Sequence, residues 1–176
     1  MKKVMLLTIF AALMMISSAA VAQTASGTLT VTATVNGSIN LVFNSDASGL
    51  ALSSGAGTNA ATLAFGNVSA FGAISAGIVR STTATNFTVS SAVDVLVTKT
   101  NSASANYTLK AQLGSADAVN TWTVGGVAVT NAAQSTLTAT GTYAANSNFP
   151  VAITVPFTTA SGTLISNTIN YVATAN

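Results

Sequence analysis

Asp46, Asp94 and Asp117 are the only acidic side chains in the 176-residue chain, which contains no His, Cys or Glu. That inventory removes the usual general base, the thiolate nucleophile and the nitrogen and sulfur ligands of zinc. A Ser–His–Asp triad cannot be assembled. Catalysis by paired carboxylates would need two of the three aspartates to converge, and nothing in their spacing brings them together. The Gly-rich stretches are not followed by Lys-Ser or Lys-Thr, so no phosphate-cradling loop is signalled. The residue types point to a non-enzymatic protein without cofactor or metal.

Two further groups could carry binding chemistry. Asn44-Ser45-Asp46-Ala47-Ser48-Gly49 alternates oxygen ligands and has Gly at the sixth place, like the first half of a calcium loop. The twelfth place is Gly55, where such a loop needs a bidentate Glu, so the segment reads as a polar turn. Trp122, the single tryptophan, would stack on a sugar ring if exposed, but its spacing with Val124 predicts a core position. Four Asn-x-Ser/Thr matches, at Asn36, Asn67, Asn86 and Asn106, are expected by chance in a protein this rich in Asn, Ser and Thr. Arg80, Lys99 and Lys110 read as residues of solvated faces or strand ends, where Lys guards sheet edges.

The elements that would position these residues begin after a targeting segment. Lys2 and Lys3 precede an uncharged apolar run over residues 4–16, and Ala20-Val21-Ala22 supplies small residues for cleavage. Residues 1–22 therefore read as a secretory signal, too short in its apolar run to span a bilayer. Without it, Arg80, Lys99 and Lys110 balance the three aspartates, and no basic patch remains to hold nucleic acid. Residues 23–176 read as one domain, secreted through the periplasm to the cell surface or beyond, with no transmembrane segment. Only 5% of the chain is charged, so little repulsion opposes self-association. With no disulfide available, sheet ladders and apolar packing must hold the fold.

Period-two alternation dominates the rest. Leu29, Val31, Ala33 and Val35 alternate with Thr28, Thr30, Thr32 and Thr34, which predicts the clearest strand in the protein. Asn36-Gly37 follows as a turn signal, making either a tight hairpin or a kink before Ile39, Leu41 and Phe43 resume the alternation. Short strands are expected around Leu63–Val68, across Phe87–Val97, at Tyr107–Leu113, at Leu137–Tyr143, at Phe149–Phe157 and from Ile165 to Tyr171. Gly125-Gly126 between Trp122–Val124 and Val127–Val129 reads as a hairpin. Pro150 and Pro156 should mark strand ends or an edge. Short strands at regular spacing, with no sustained helical period, argue for an all-β antiparallel sandwich.

The order of segments also resembles a family. The Thr-alternating first ribbon, a second strand, Leu63-Ala64-Phe65-Gly66, and the closing Gly162-Thr163-Leu164-Ile165-Ser166-Asn167-Thr168-Ile169-Asn170-Tyr171 resemble spore-coat-U-type and chaperone–usher fimbrial pilin domains. The resemblance covers both ends of the domain. It implies an immunoglobulin-like β-sandwich lacking one strand, which a neighbour's N-terminal extension completes. Partners would be other copies or related subunits, with a periplasmic chaperone and usher. Residues 23–36 would be the donor strand, with Leu29, Val31, Ala33 and Val35 as its pegs. Two other readings stay open: a self-contained secreted sandwich that binds a glycan or surface, and an outer-membrane barrel.

Overall fold

The computed structural model describes Ser26 and residues 28–176; the expected signal segment, residues 1–22, lies outside the described residues. The protein divides into two units, Met1–Thr34 and Val35–Asn176. In the first unit, residues 28–34 belong to no strand, and Leu29 and Val31 are 88% and 81% exposed. This differs from the expectation of a strand there. The alternation makes a ribbon with one apolar face, but a strand exists only where a partner's N–H and C=O groups complete its ladder.

The second unit holds eleven strands and no helix among the described residues. They are β1 (Ser38–Ser45), β2 (Val79–Thr82), β3 (Asn86–Ser91), β4 (Val93–Thr100), β5 (Tyr107–Leu113), β6 (Thr121–Val124), β7 (Val127–Val129), β8 (Ser135–Gly141), β9 (Asn146–Asn148), β10 (Val151–Pro156) and β11 (Ile169–Ala175). Every pairing is antiparallel. The sheets run β1-β4-β9, β2-β3-β10-β6-β7 and β11-β5-β8. These are open antiparallel sheets packed around apolar clusters, consistent with a β-sandwich.

Phe87–Val97 reads as one continuous strand region because odd-numbered residues are buried on both sides of Ala92. The backbone nevertheless turns a corner there. β3 joins the five-stranded sheet and β4 the sheet of β1. The neighbouring loop lies so close that a Cβ on Gly49 would sit 2.2 Å from the Ala92 carbonyl oxygen. Glycine is therefore demanded by the close approach at the corner.

The core has two parts. The larger includes Phe87, Val89, Val93, Trp122, Val124, Val151, Ile153 and Val155; the smaller is Val95, Val97, Tyr107 and Leu109. Burying each such aliphatic or aromatic side chain contributes about 1.5–3 kcal/mol. Leu63, Phe65 and Val68 form no strand; they pack half-buried against the larger cluster as part of a covering loop. The Gly125-Gly126 hairpin forms as expected. Both residues have positive φ, 57° and 79°, and Val124 pairs with Val127 across the turn. Asn36-Gly37 makes no such turn, since neither residue has positive φ. Pro156 ends β10, and Pro150 lies one residue before it.

Candidate functional site

β1 and β11 contribute to the smaller cluster although they do not pair with each other. Leu41 and Phe43 of β1 and Tyr171 and Ala173 of β11 pack half-buried on Val95, Val97, Tyr107 and Leu109. Register explains this. Leu41 and Phe43 lie opposite Val97 and Val95, and Tyr171 and Ala173 lie opposite Ala111 and Leu109. Those four partners are fully buried, so the inward faces of both outer strands cover the same core. The Phe43 and Tyr171 rings meet edge to face, with centroids 5.0 Å apart.

Backbone parity sets what these edges present. Phe43 N–H donates to the Thr58 carbonyl at 2.8 Å, and the Gly57 N–H donates to the Phe43 carbonyl at 2.7 Å. The Phe43 backbone therefore faces away from β4. In an antiparallel ladder alternate residues bond to the same side, so Leu41 and Ile39 turn their N–H and C=O groups the same way. On β11, Thr168 C=O accepts from Gly114 N–H and Asn176 N–H donates to Asn106 C=O. Even-numbered residues thus bond to β5, and Tyr171 and Ala173 present their backbone outward. Among the described residues no strand pairs with that edge of β11, and the edge of β1 receives only the short bridge at Phe43. The two edges border one apolar cluster and make a seam along which Ile39 and Leu41 on β1 and Tyr171 and Ala173 on β11 turn their backbone groups outward.

The aspartates play other parts. Asp46 and Asp94 are brought together, a meeting that the sequence spacing did not suggest. Asn148 Nδ2 donates to Asp46 Oδ2 at 2.8 Å and to Asp94 Oδ1 at 3.3 Å. Asn146 Nδ2 donates to Asp94 Oδ2 at 3.1 Å. Strand pairing brings these side chains there, since Asn44 and Asn148 both lie opposite Asp94 on the strands that flank β4. The Ser48 hydroxyl and its N–H bond to Asp46 Oδ1, and these donors hold the Asp46 carboxyl below its ordinary value. The 44–49 segment is thus closed on itself as a turn, and no group of three or more candidate metal ligands exists among the described residues.

Asp117 organises the loop between β5 and β6. Desolvation pushes its carboxyl up, but the Asn120 N–H, Trp122 Nε1–H, Asn120 Nδ2–H and Val119 N–H together outweigh that and bring it down to about 2. The Trp122 bond is 2.8 Å and its ring is buried, so it is not free to stack on a sugar. Small cavities of about 250 and 360 Å³ flank this loop. Arg80 ties down the loop before β2, donating to the carbonyls of Ser69 and Gly72. Lys99 lies over the Tyr143 ring at 5.0 Å and also donates to the Ser104 carbonyl.

Leu29, Val31, Ala33 and Val35 are all exposed and outside the strands. No protein-family model, curated protein or solved structure matches the sequence.

Proposed function

We propose that this protein is a structural subunit of a bacterial surface fibre or coat, with an immunoglobulin-like sandwich completed by β-augmentation from another copy. The observation that carries the reading is the seam: β1 and β11 offer outward backbone groups on either side of the smaller cluster. The Leu29–Val35 ribbon supplies the complementary pattern, apolar on one face and Thr on the other. An added strand gains affinity from main-chain bonds and specificity from alternate side chains.

The ribbon runs directly into β1, and register argues that it serves a different molecule. A two-residue turn at Asn36-Gly37 would set Val35 opposite Ser38, Ala33 opposite Asn40 and Val31 opposite Val42. The pegs would then lie on the face opposite Leu41 and Phe43. They would also meet backbone groups that β4 already uses. A one-residue mismatch turns every side chain to the wrong face. Passage through the periplasm and a role for a chaperone and usher belong to the same proposal.

The test is deletion of residues 23–35. The shortened protein is expected to be exported but to remain monomeric by size-exclusion chromatography, and to bind a synthetic peptide of residues 24–36 in stoichiometric amount. Polymers formed as readily by the shortened protein as by the full one would overturn the proposal.

A further inference from the structure

The Asn36-Gly37 dipeptide, the sole Asn-Gly pair in the sequence, does not form the turn its residues suggest. Both residues are exposed and lie outside the strands. Among the described residues, no hydrogen bond engages the Asn36 side chain or the Gly37 N–H. Glycine is held at position 37 for another reason. A Cβ there would lie 2.7 Å from the Asn101 carbonyl oxygen and 3.1 Å from the Ser102 Cα. This contact stands where Ser38 begins its pairing with Thr100. Packing at the start of β1 therefore fixes the least hindered backbone amide directly after an exposed asparagine.

We propose that Asn36 is a site of spontaneous deamidation and backbone isomerisation. The Gly37 amide nitrogen, having given its proton to solvent base, attacks Asn36 Cγ. A bond forms between that nitrogen and Cγ to close a succinimide, and the bond from Cγ to Nδ2 breaks to release ammonia. Water then adds at either imide carbonyl and opens the ring. Addition at the Cγ carbonyl gives aspartate; addition at the backbone carbonyl of residue 36 gives isoaspartate. One water is consumed and one ammonia released, with no oxidant or reductant.

The product differs from the parent in two ways. A carboxylate appears in a stretch, residues 28–45, that otherwise has no charged side chain. The isoaspartyl form also carries an extra methylene in the backbone between the alternating ribbon and β1. A consequence for assembly rests on the proposed function: the ribbon's reach from its own domain changes and a charge arises beside the joint. The chemistry itself does not depend on that reading.

The experiment is timed incubation of the purified protein at neutral and mildly alkaline pH. Proteolytic peptide mapping by mass spectrometry and enzymatic methyl labelling of isoaspartate then read the products. The peptide with Asn36 should convert several-fold faster than the peptide with Asn101-Ser102, which is also exposed but has a bulkier following residue. Its rate should rise with pH, because the deprotonated amide is the attacking species. Asn36→Gln should remove that signal and leave the other peptides unchanged. Conversion at Asn36 no faster than at Asn101, or labelling unaffected by Asn36→Gln, would overturn the proposal. The protein lacking residues 23–35 retains Asn36-Gly37, so its loss of assembly and any loss of deamidation are separately readable.

Discussion

Phe43 and Tyr171 touch edge to face, at a centroid separation of 5.0 Å and an angle of 70°, across two strands that share no ladder. Packing between side chains alone thus links β1 and β11 over the smaller cluster. Burial pushes the Tyr171 hydroxyl well above its ordinary ionisation range, as expected for a ring enclosed by apolar neighbours. Phe43→Ala should cost about 2 kcal/mol, under the roughly 3–5 kcal/mol of a fully buried ring, since Phe43 is half-buried. The check is the urea midpoint, together with a fall in the alkaline midpoint of Tyr171 as water reaches the cluster. An unchanged tyrosine titration would show that Phe43 does not enclose that ring.

Asp117 gives the fold an acid-sensitive point. Its folded-state carboxyl titrates at about 2, below the value of about 3.9 for an unfolded polypeptide. The stabilisation is therefore complete above the unfolded value and is lost as pH falls through about 2. Asp117→Asn replaces one acceptor oxygen with a donor facing Trp122 Nε1 or the Asn120 and Val119 amides. Near neutral pH the loss should be about 2 kcal/mol, in the range for a hydrogen bond to a charged group. The difference between parent and variant should shrink on acidification, and Trp122 emission should follow the same titration. A difference that stays constant through that window would contradict the assignment.

Much of this arrangement was legible before the structure. β3, β4, β5 and β10 follow from alternation, because each has strands on both sides and one buried face, and the Gly125-Gly126 hairpin follows from turn chemistry. The failures share a cause. Leu29 to Val35 and Leu63 to Val68 have strand-like residues, but a strand is a property of a pair, and no described ladder includes them. Ala92 keeps the parity of its neighbours, so the corner between β3 and β4 was invisible along the sequence. The meeting of Asp46 with Asp94 likewise depends on which strands become neighbours, which alternation does not encode.

The corner at Ala92 yields its own prediction. Gly49→Ala would place a methyl group 2.2 Å from the Ala92 carbonyl oxygen and 3.0 Å from its amide nitrogen, both rigid backbone atoms. The φ of Gly49 is ordinary, so the penalty is one of space rather than of backbone angle. Moving the loop would also strain the Ser91 hydroxyl bond to the Leu50 N–H, 2.7 Å long and part-buried. A loss of about 2–3 kcal/mol is expected from such overpacking. Gly57→Ala is the companion variant: its Cβ meets no atom within 4 Å, and its cost comes only from a φ of 78°. Its loss should be smaller, about 1 kcal/mol. Equal thermal midpoints for the two variants would remove the case for a sterically locked corner.

Under the proposed function, substitutions in the alternating ribbon should act on assembly and not on stability. Val31 is exposed and in no strand, so Val31→Asp should leave the stability of the isolated subunit within about 0.5 kcal/mol of the parent. In the proposed joint the same side chain is a peg over an apolar cluster, where an unpaired carboxylate carries a desolvation penalty of several kcal/mol. Polymer formation should therefore fail while the monomer remains folded. Thr32→Asp is the parity control, because its side chain points to the opposite face of the added strand. It should assemble nearly as the parent does. Light scattering and size-exclusion profiles of the purified proteins read both outcomes. Equal impairment by Val31→Asp and Thr32→Asp would mean that the ribbon does not bind as a one-faced strand, and the seam between β1 and β11 would need another occupant.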